Sequence, residues 1–174
     1  ESDSTTDSFT YTISDGNGAF DVATVTLAIT GTNDIATVSA DTDSVTEDTA
    51  ATLTTSGSVT ITDTDDGEAL AQPQTNTAGT YGSFSVDANG NWDYQADNSQ
   101  AAIQQLGVTD SLTETFTVVS QDGTASNTVT ITINGTNDTA TVSADTGSVQ
   151  EDDAATLTTS GSVIITDTDA GEAF

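Results

Sequence analysis

Apolar and polar positions alternate with period two through most of this chain. Phe84 and Val86, Trp92 and Tyr94, Phe116 and Val118, then Val129, Ile131 and Ile133 each stand one polar residue apart. A strand with one buried and one solvated face has this pattern, and the Thr, Val and Ile along it favour a pleated backbone. It predicts strands at 36–47 (with a break near Thr42), 52–62, 79–87, 91–95, 114–121 and 128–134. Asn89 and Gly90 between two of them predict a hairpin turn. Residues 99–106 have room for one helical turn. Strands that each carry one apolar face need a second sheet to cover it, so the fold class is all-β, an antiparallel β-sandwich. Trp92 and Tyr94 fall on the expected core face, which favours core packing over a sugar-stacking platform.

The pattern repeats. Residues 31–70 read GTNDIATVSADTDSVTEDTAATLTTSGSVTITDTDDGEAL, and residues 135–174 read GTNDTATVSADTGSVQEDDAATLTTSGSVIITDTDAGEAF. Only seven of these 40 positions differ, at a spacing of 104 residues. Residues 9–16 (FTYTISDG) match 116–123 (FTVVSQDG), and Val25, Leu27 and Ile29 match Val129, Ile131 and Ile133. A period of this length is a domain, not a solenoid unit. The expected organisation is a complete unit at 35–138, the closing strands of a preceding unit at 1–34, and the opening strands of a following one at 139–174. The chain therefore reads as a window of something longer.

Charge sharpens this picture. There are 28 Asp and Glu residues and no Lys, Arg or His, a formal net charge of −28. Nucleic acid is excluded as a partner, because phosphate binding needs Lys or Arg. No apolar run approaches the length of a membrane span, so direct membrane insertion is not expected. Without Cys, His or Lys there is no thiol nucleophile, Ser-His-Asp triad, Cys/His zinc site or Schiff base. The tetrapeptide Asp145, Thr146, Gly147, Ser148 spells an aspartic-protease signature, but the equivalent stretch has Asp43 where Gly147 stands. The chain is not expected to be an enzyme. Every carboxylate must find water, a backbone N–H or a bound cation, and the fitting cation is hard and oxygen-seeking.

The blocks at 79–86 (GTYGSFSV), 90–94 (GNWDY), 114–123 (ETFTVVSQDG) and 135–138 (GTND), with 45–48 (VTED) and 63–68 (DTDDGE), resemble the VCBS repeat. This is a bacterial cadherin-like, Ig-like extender domain of giant RTX adhesins. The resemblance implies tandem Ig-like sandwiches, secretion by type I machinery, and an extracellular place on the bacterial cell surface. It also implies a structural role as a spacer between an anchor and distal ligand-binding domains. A carbohydrate-binding or homotypic adhesion module is the alternative.

The acidic residues cluster at predicted strand ends. At one pole the pattern places Asp63 and Asp65 beside the linker residues Asn33 and Asp34, with Asp122 and, from the preceding unit, Asp3. At the other it places Glu47, Asp48, Asp110, Glu114, Asn137 and Asp138, with Asp167 and Asp169 of the following unit facing them. The grouping is similar to cadherins, where acidic loops and an Asn/Asp linker surround calcium between domains. Unneutralised carboxylates about 4 Å apart repel by about 1 kcal/mol per pair in water, and about 4 at an effective dielectric of 20. Calcium is the expected cofactor and neighbouring repeats are the expected partners. Gly135 gives the linker backbone freedom, so without an ion the junction is expected to hinge.

Overall fold

The computed structural model describes residues 4–152 and 155–171. It opens with a long antiparallel hairpin of β1 (Ser4–Ser14) and β2 (Phe20–Thr30). There follow β3 (Thr37–Val38), β4 (Asp41–Thr46), β5 (Thr52–Ser58), β6 (Ile61–Thr62), β7 (Gln74–Ala78), β8 (Gly82–Val86), β9 (Asn91–Asp97), the short α1 (Ala101–Gln104), β10 (Ser111–Val119) and β11 (Ser126–Asn134). A last small pair, β12 (Thr141–Val142) and β13 (Ile165–Thr166), lies beyond the linker.

Between the linkers the strands form two sheets, ordered β5-β9-β8-β7 and β10-β11-β4, with β3 paired to β6 beside them. The alternating apolar residues meet between the sheets. Leu53, Phe84, Val86, Trp92 and Tyr94 come from one face, and Val45, Phe116, Val118, Val129, Ile131 and Ile133 from the other. Phe84 stacks on Phe116 across the gap, with ring centroids 4.7 Å apart. Ile103 of α1 is fully buried and anchors the helical turn to this core. Trp92 and Tyr94 are buried too, and the Trp92 indole N–H donates to Asp41 Oδ2 at 2.9 Å.

The break expected near Thr42 falls at residues 39–40, and the predicted 52–62 strand is cut as well. The 36–47 segment divides into β3 and β4, and β4 runs parallel to β11 instead of continuing beside β6. The 52–62 segment divides into β5 and β6. Both breaks fall where the chain changes partners. Ser39 N–H donates to Thr60 O at 2.9 Å, and Thr60 N–H returns a bond to Ser39 Oγ at 2.8 Å. Strand β7 (QTNTA) was not predicted, because it carries no apolar alternation. It is an exposed edge strand whose pairing with β8 shifts register between Gln74 and Thr77.

Local geometries recur along the chain. β1 and β2 pair Phe9 with Val25, as β10 and β11 pair Phe116 with Val129. Thr37 opposes Thr62 in β3–β6, and Thr141 opposes Thr166 in β12–β13. Phe9, Tyr11, Leu27 and Ile29 are exposed on the first hairpin, unlike their buried counterparts in β10 and β11.

Candidate metal centres

The chain leaves β6 into the acidic loop Asp63, Thr64, Asp65, Asp66, Gly67, Glu68. Asp63 Oδ1 accepts the Asp65 N–H at 2.9 Å, which curls the loop back on itself. Asp65 Oδ2 then accepts the Asp34 N–H at 2.8 Å and ties the loop to the linker. Asn33 donates through Nδ2 to Asp34 O at 2.8 Å and to Asp122 Oδ2 at 3.2 Å. Asp122 follows β10, and its Oδ1 accepts from Ser120 Oγ at 2.6 Å and from Thr124 N–H at 3.2 Å. The Ser120 hydroxyl, then Thr124 and Asn33, hold the Asp122 carboxyl well below the usual range, so it stays anionic. One carboxylate oxygen each from Asp63, Glu68 and Asp122 lies within 4.8 Å of the others. Asp63 Oδ2 is buried and accepts no hydrogen bond.

The second pole is built the same way from different residues. Glu47 directly follows β4 and is 2% exposed. Its Oε1 accepts the Thr136 N–H at 2.7 Å, while Oε2 is buried without a hydrogen-bond partner. Asp48 is held in the left-handed region at φ 61°. Its Oδ1 accepts from Asn98 Nδ2 at 2.9 Å and Gln104 Nε2 at 2.8 Å. Gln104 and then Asn98 keep the Asp48 carboxyl below its ordinary value. Asp138 N–H donates to Asp169 Oδ2 at 3.0 Å, and Asp169 N–H to Asp167 Oδ1 at 3.1 Å. These repeat the contacts of Asp34 with Asp65 and of Asp65 with Asp63. Asp169 is 4% exposed, and its Oδ1 is buried without a hydrogen-bond partner.

Electrostatics tie this second group together. Burial pushes the Glu47 carboxyl above the ordinary glutamate range, and the charges of Asp48, Asp138 and Asp169 push it further. Burial likewise raises Asp138, with Asp48 and Asp169 adding to it. Asp110 accepts the Gly107 N–H at 3.3 Å, and Gly107 lies beside Asp169. Asn137 Nδ2 donates to Asp138 O at 2.5 Å and so shapes the linker.

Most of the residues expected at the two poles are thus brought together. Asp3 lies outside the described residues. Asp34 meets the first cluster through its backbone N–H. Glu114 goes elsewhere and is a correction. β10 begins three residues before it, at Ser111, so Glu114 lies within the strand and not at its end, and alternation puts it on the inward face with Phe116 and Val118. Its carboxylate accepts Tyr81 N–H at 2.7 Å, Gly82 N–H at 3.1 Å and the Tyr94 hydroxyl at 2.6 Å. Burial, and then this bond to Glu114, push the Tyr94 hydroxyl far up. Glu68 is the residue that sequence reasoning missed, although it closes the DTDDGE block.

Both clusters offer only oxygen donors. Each also contains at least one buried carboxylate oxygen with no hydrogen bond, Asp63 Oδ2 at the first and Glu47 Oε2 and Asp169 Oδ1 at the second, an arrangement costly without a positive charge. Asp63, Glu68 and Asp122 at one pole, and Glu47, Asp48, Asp138 and Asp169 at the other, fit a hard divalent cation. A family model described as bacterial cadherin-like domain matches residues 33–135. No curated protein matches the chain.

Proposed function

The chain belongs to the bacterial cadherin-like domain family, and from that premise we propose that it is an extender segment of a secreted, surface-anchored bacterial adhesin, stiffened by calcium at its inter-repeat junctions. In this reading residues 35–138 are one complete repeat, 1–34 close the preceding one, and 139–174 open the next. The segment lies outside the cell, after export by type I machinery, and projects distal ligand-binding domains for adhesion or biofilm formation. The observation that carries the reading is the pair Glu47 Oε2 and Asp169 Oδ1. These are buried carboxylate oxygens without hydrogen bonds, one from each side of a linker, in a chain with no basic side chain.

Bound calcium would supply the positive charge these oxygens lack. The chain's own residues do the rest. Asn98 and Gln104 aim Asp48, Thr136 orients Glu47, and the Asp138 N–H holds Asp169. At the other pole Ser120 and Asn33 orient Asp122. A sugar-binding module is less well supported, because Trp92 and Tyr94 are both buried.

Calorimetric calcium titration and thermal melts test this. A ligand at a hundredfold excess over Kd adds about 2.7 kcal/mol of stability. Melts in millimolar calcium are expected several degrees above those in EDTA, with saturable binding heat. Coincident melts and no binding heat would remove the calcium reading.

A further inference from the structure

We infer that the end of α1 and the loop after it form a main-chain socket for the acidic loop of the next unit, so that register across the junction is not set by metal alone. Ile103 and Leu106 root this segment in the core, at 0% and 7% exposure. The helical turn ends there, with Gln105 N–H bonded to Ala101 O at 3.2 Å and Leu106 N–H to Ile103 O at 3.1 Å. A carbonyl at a helix end has no partner within the helix. The Gln105 carbonyl finds one across the junction, accepting the Ala170 N–H at 2.9 Å. The loop is braced on itself, since Asp110 N–H donates to Gly107 O at 2.8 Å and Asp110 O accepts Gly135 N–H at 3.0 Å.

Gly135 completes the socket. It is buried and does not adopt the left-handed conformation. Its missing side chain serves close packing. A Cβ there would collide with Gly107 O and come within 2.6 Å of both Leu106 Cβ and Leu106 O. Gly107 is different, because a Cβ there would meet nothing nearer than Asp110 Oδ2 at 3.7 Å. The contact explains one sequence difference. Asp66 and Ala170 stand at equivalent positions. A docking group that is a backbone N–H leaves the side chain free to vary. The socket contains no carboxylate oxygen of the metal clusters. What it does for them is deliver Asp169 beside Asp138 in a fixed register.

The test is amide exchange at Ala170 in the calcium-loaded chain, with a spin-label distance between the complete unit and residues 139–171. A hydrogen bond of ordinary net strength slows exchange by about tenfold. Gly135→Ala is expected to abolish that protection and broaden the distance distribution while Trp92 fluorescence stays native. Gly107→Ala is expected to leave both unchanged. A folded Gly135→Ala chain with wild-type Ala170 exchange and distance would overturn the socket. Should Gly135→Ala unfold, Ala170→Pro removes the donor from the other side, and an unchanged narrow distance in that variant also overturns it. The outcome is separable from the calcium reading. A wild-type chain that binds no calcium but protects Ala170 keeps the socket and loses the calcium. One that binds calcium with Ala170 exchanging freely does the reverse.

Discussion

Glu47 and Glu114 are both buried glutamates, and their surroundings treat them oppositely. Glu114 accepts three hydrogen bonds inside the sandwich, from Tyr81, Gly82 and Tyr94. Glu47 has one oxygen satisfied by Thr136 and the other left bare. The first is therefore a staple and the second a candidate ligand. Glu114→Gln replaces one of the two accepting oxygens with an NH2 donor, so either the Tyr81 or the Gly82 N–H is left facing a donor. It is expected to cost about 2 kcal/mol in urea unfolding and to leave calcium affinity unchanged. A loss of calcium binding with stability intact would return Glu114 to the metal cluster. The raised carboxyls predict a pH dependence. Glu47 and Asp138 titrate above their ordinary values of 4.5 and 3.8 in the fold. Their contribution to stability is complete below those values and is lost as the pH rises through the raised ones. In EDTA the melting temperature is therefore expected to rise as the pH is lowered from neutrality toward the ordinary glutamate value of 4.5. In saturating calcium the trend should flatten or reverse, because protons compete with the metal for the same oxygens. Asp48 and Asp122 are shifted down, so their contribution is lost only below about 3.8, outside that window. A melt in EDTA that falls on acidification would contradict this assignment.

At the scale of elements, the β8–β9 hairpin was the most legible feature of the chain. Asn89 and Gly90 announce the turn, and Gly90 takes φ 82° with its N–H bonded to Asp87 O at 3.0 Å. Asp87 Oδ1 accepts both Asn89 and Asn91 N–H groups at 2.9 Å. Gly90→Ala forces a side-chain-bearing residue into the left-handed region and pushes its Cβ into the Val59 carbonyl and to 2.8 Å from Ile61. The expected loss is about 2 kcal/mol or more, read from urea unfolding followed by Trp92 fluorescence. A loss under about 0.5 kcal/mol would mean the turn relaxes freely. β7 was illegible for the opposite reason. An edge strand with both faces wet carries no apolar alternation, and only its pairing with β8 makes it a strand.

On the scale of the whole molecule, acidic clusters stand at both linkers, around residues 33–34 and 137–138. Carboxylates gather where strands end and linkers begin, and the core between them is almost wholly apolar. If calcium joins successive units, tandem copies form a rod that depends on the ion. Four tandem repeats are expected to show a larger maximum dimension by small-angle scattering in calcium than in EDTA, with far-ultraviolet dichroism nearly unchanged. An identical dimension in both would leave main-chain packing, as at Gln105 and Ala170, to hold the junction unaided.

The alternation of Phe116, Val118, Val129 and Ile131 was enough to establish an all-β sandwich. The recurrence of GTND and the bunching of Asp at predicted strand ends were enough to locate two acidic poles. Period and composition are local properties, so the chain displays them before it folds. Other outcomes depended on which segments approach each other in space. The change of partner that splits 52–62 into β5 and β6 is one. The bonding of Glu114 to Tyr81, Gly82 and Tyr94 is another, since those partners come from a distant stretch of chain in the facing sheet. Glu68 joins Asp63 and Asp122 only because β10 ends beside the loop after β6. Gly135 is a packing glycine because Leu106 and Gly107 are brought against it. Those approaches are made by residues far apart in the chain, and no short-range pattern encodes them.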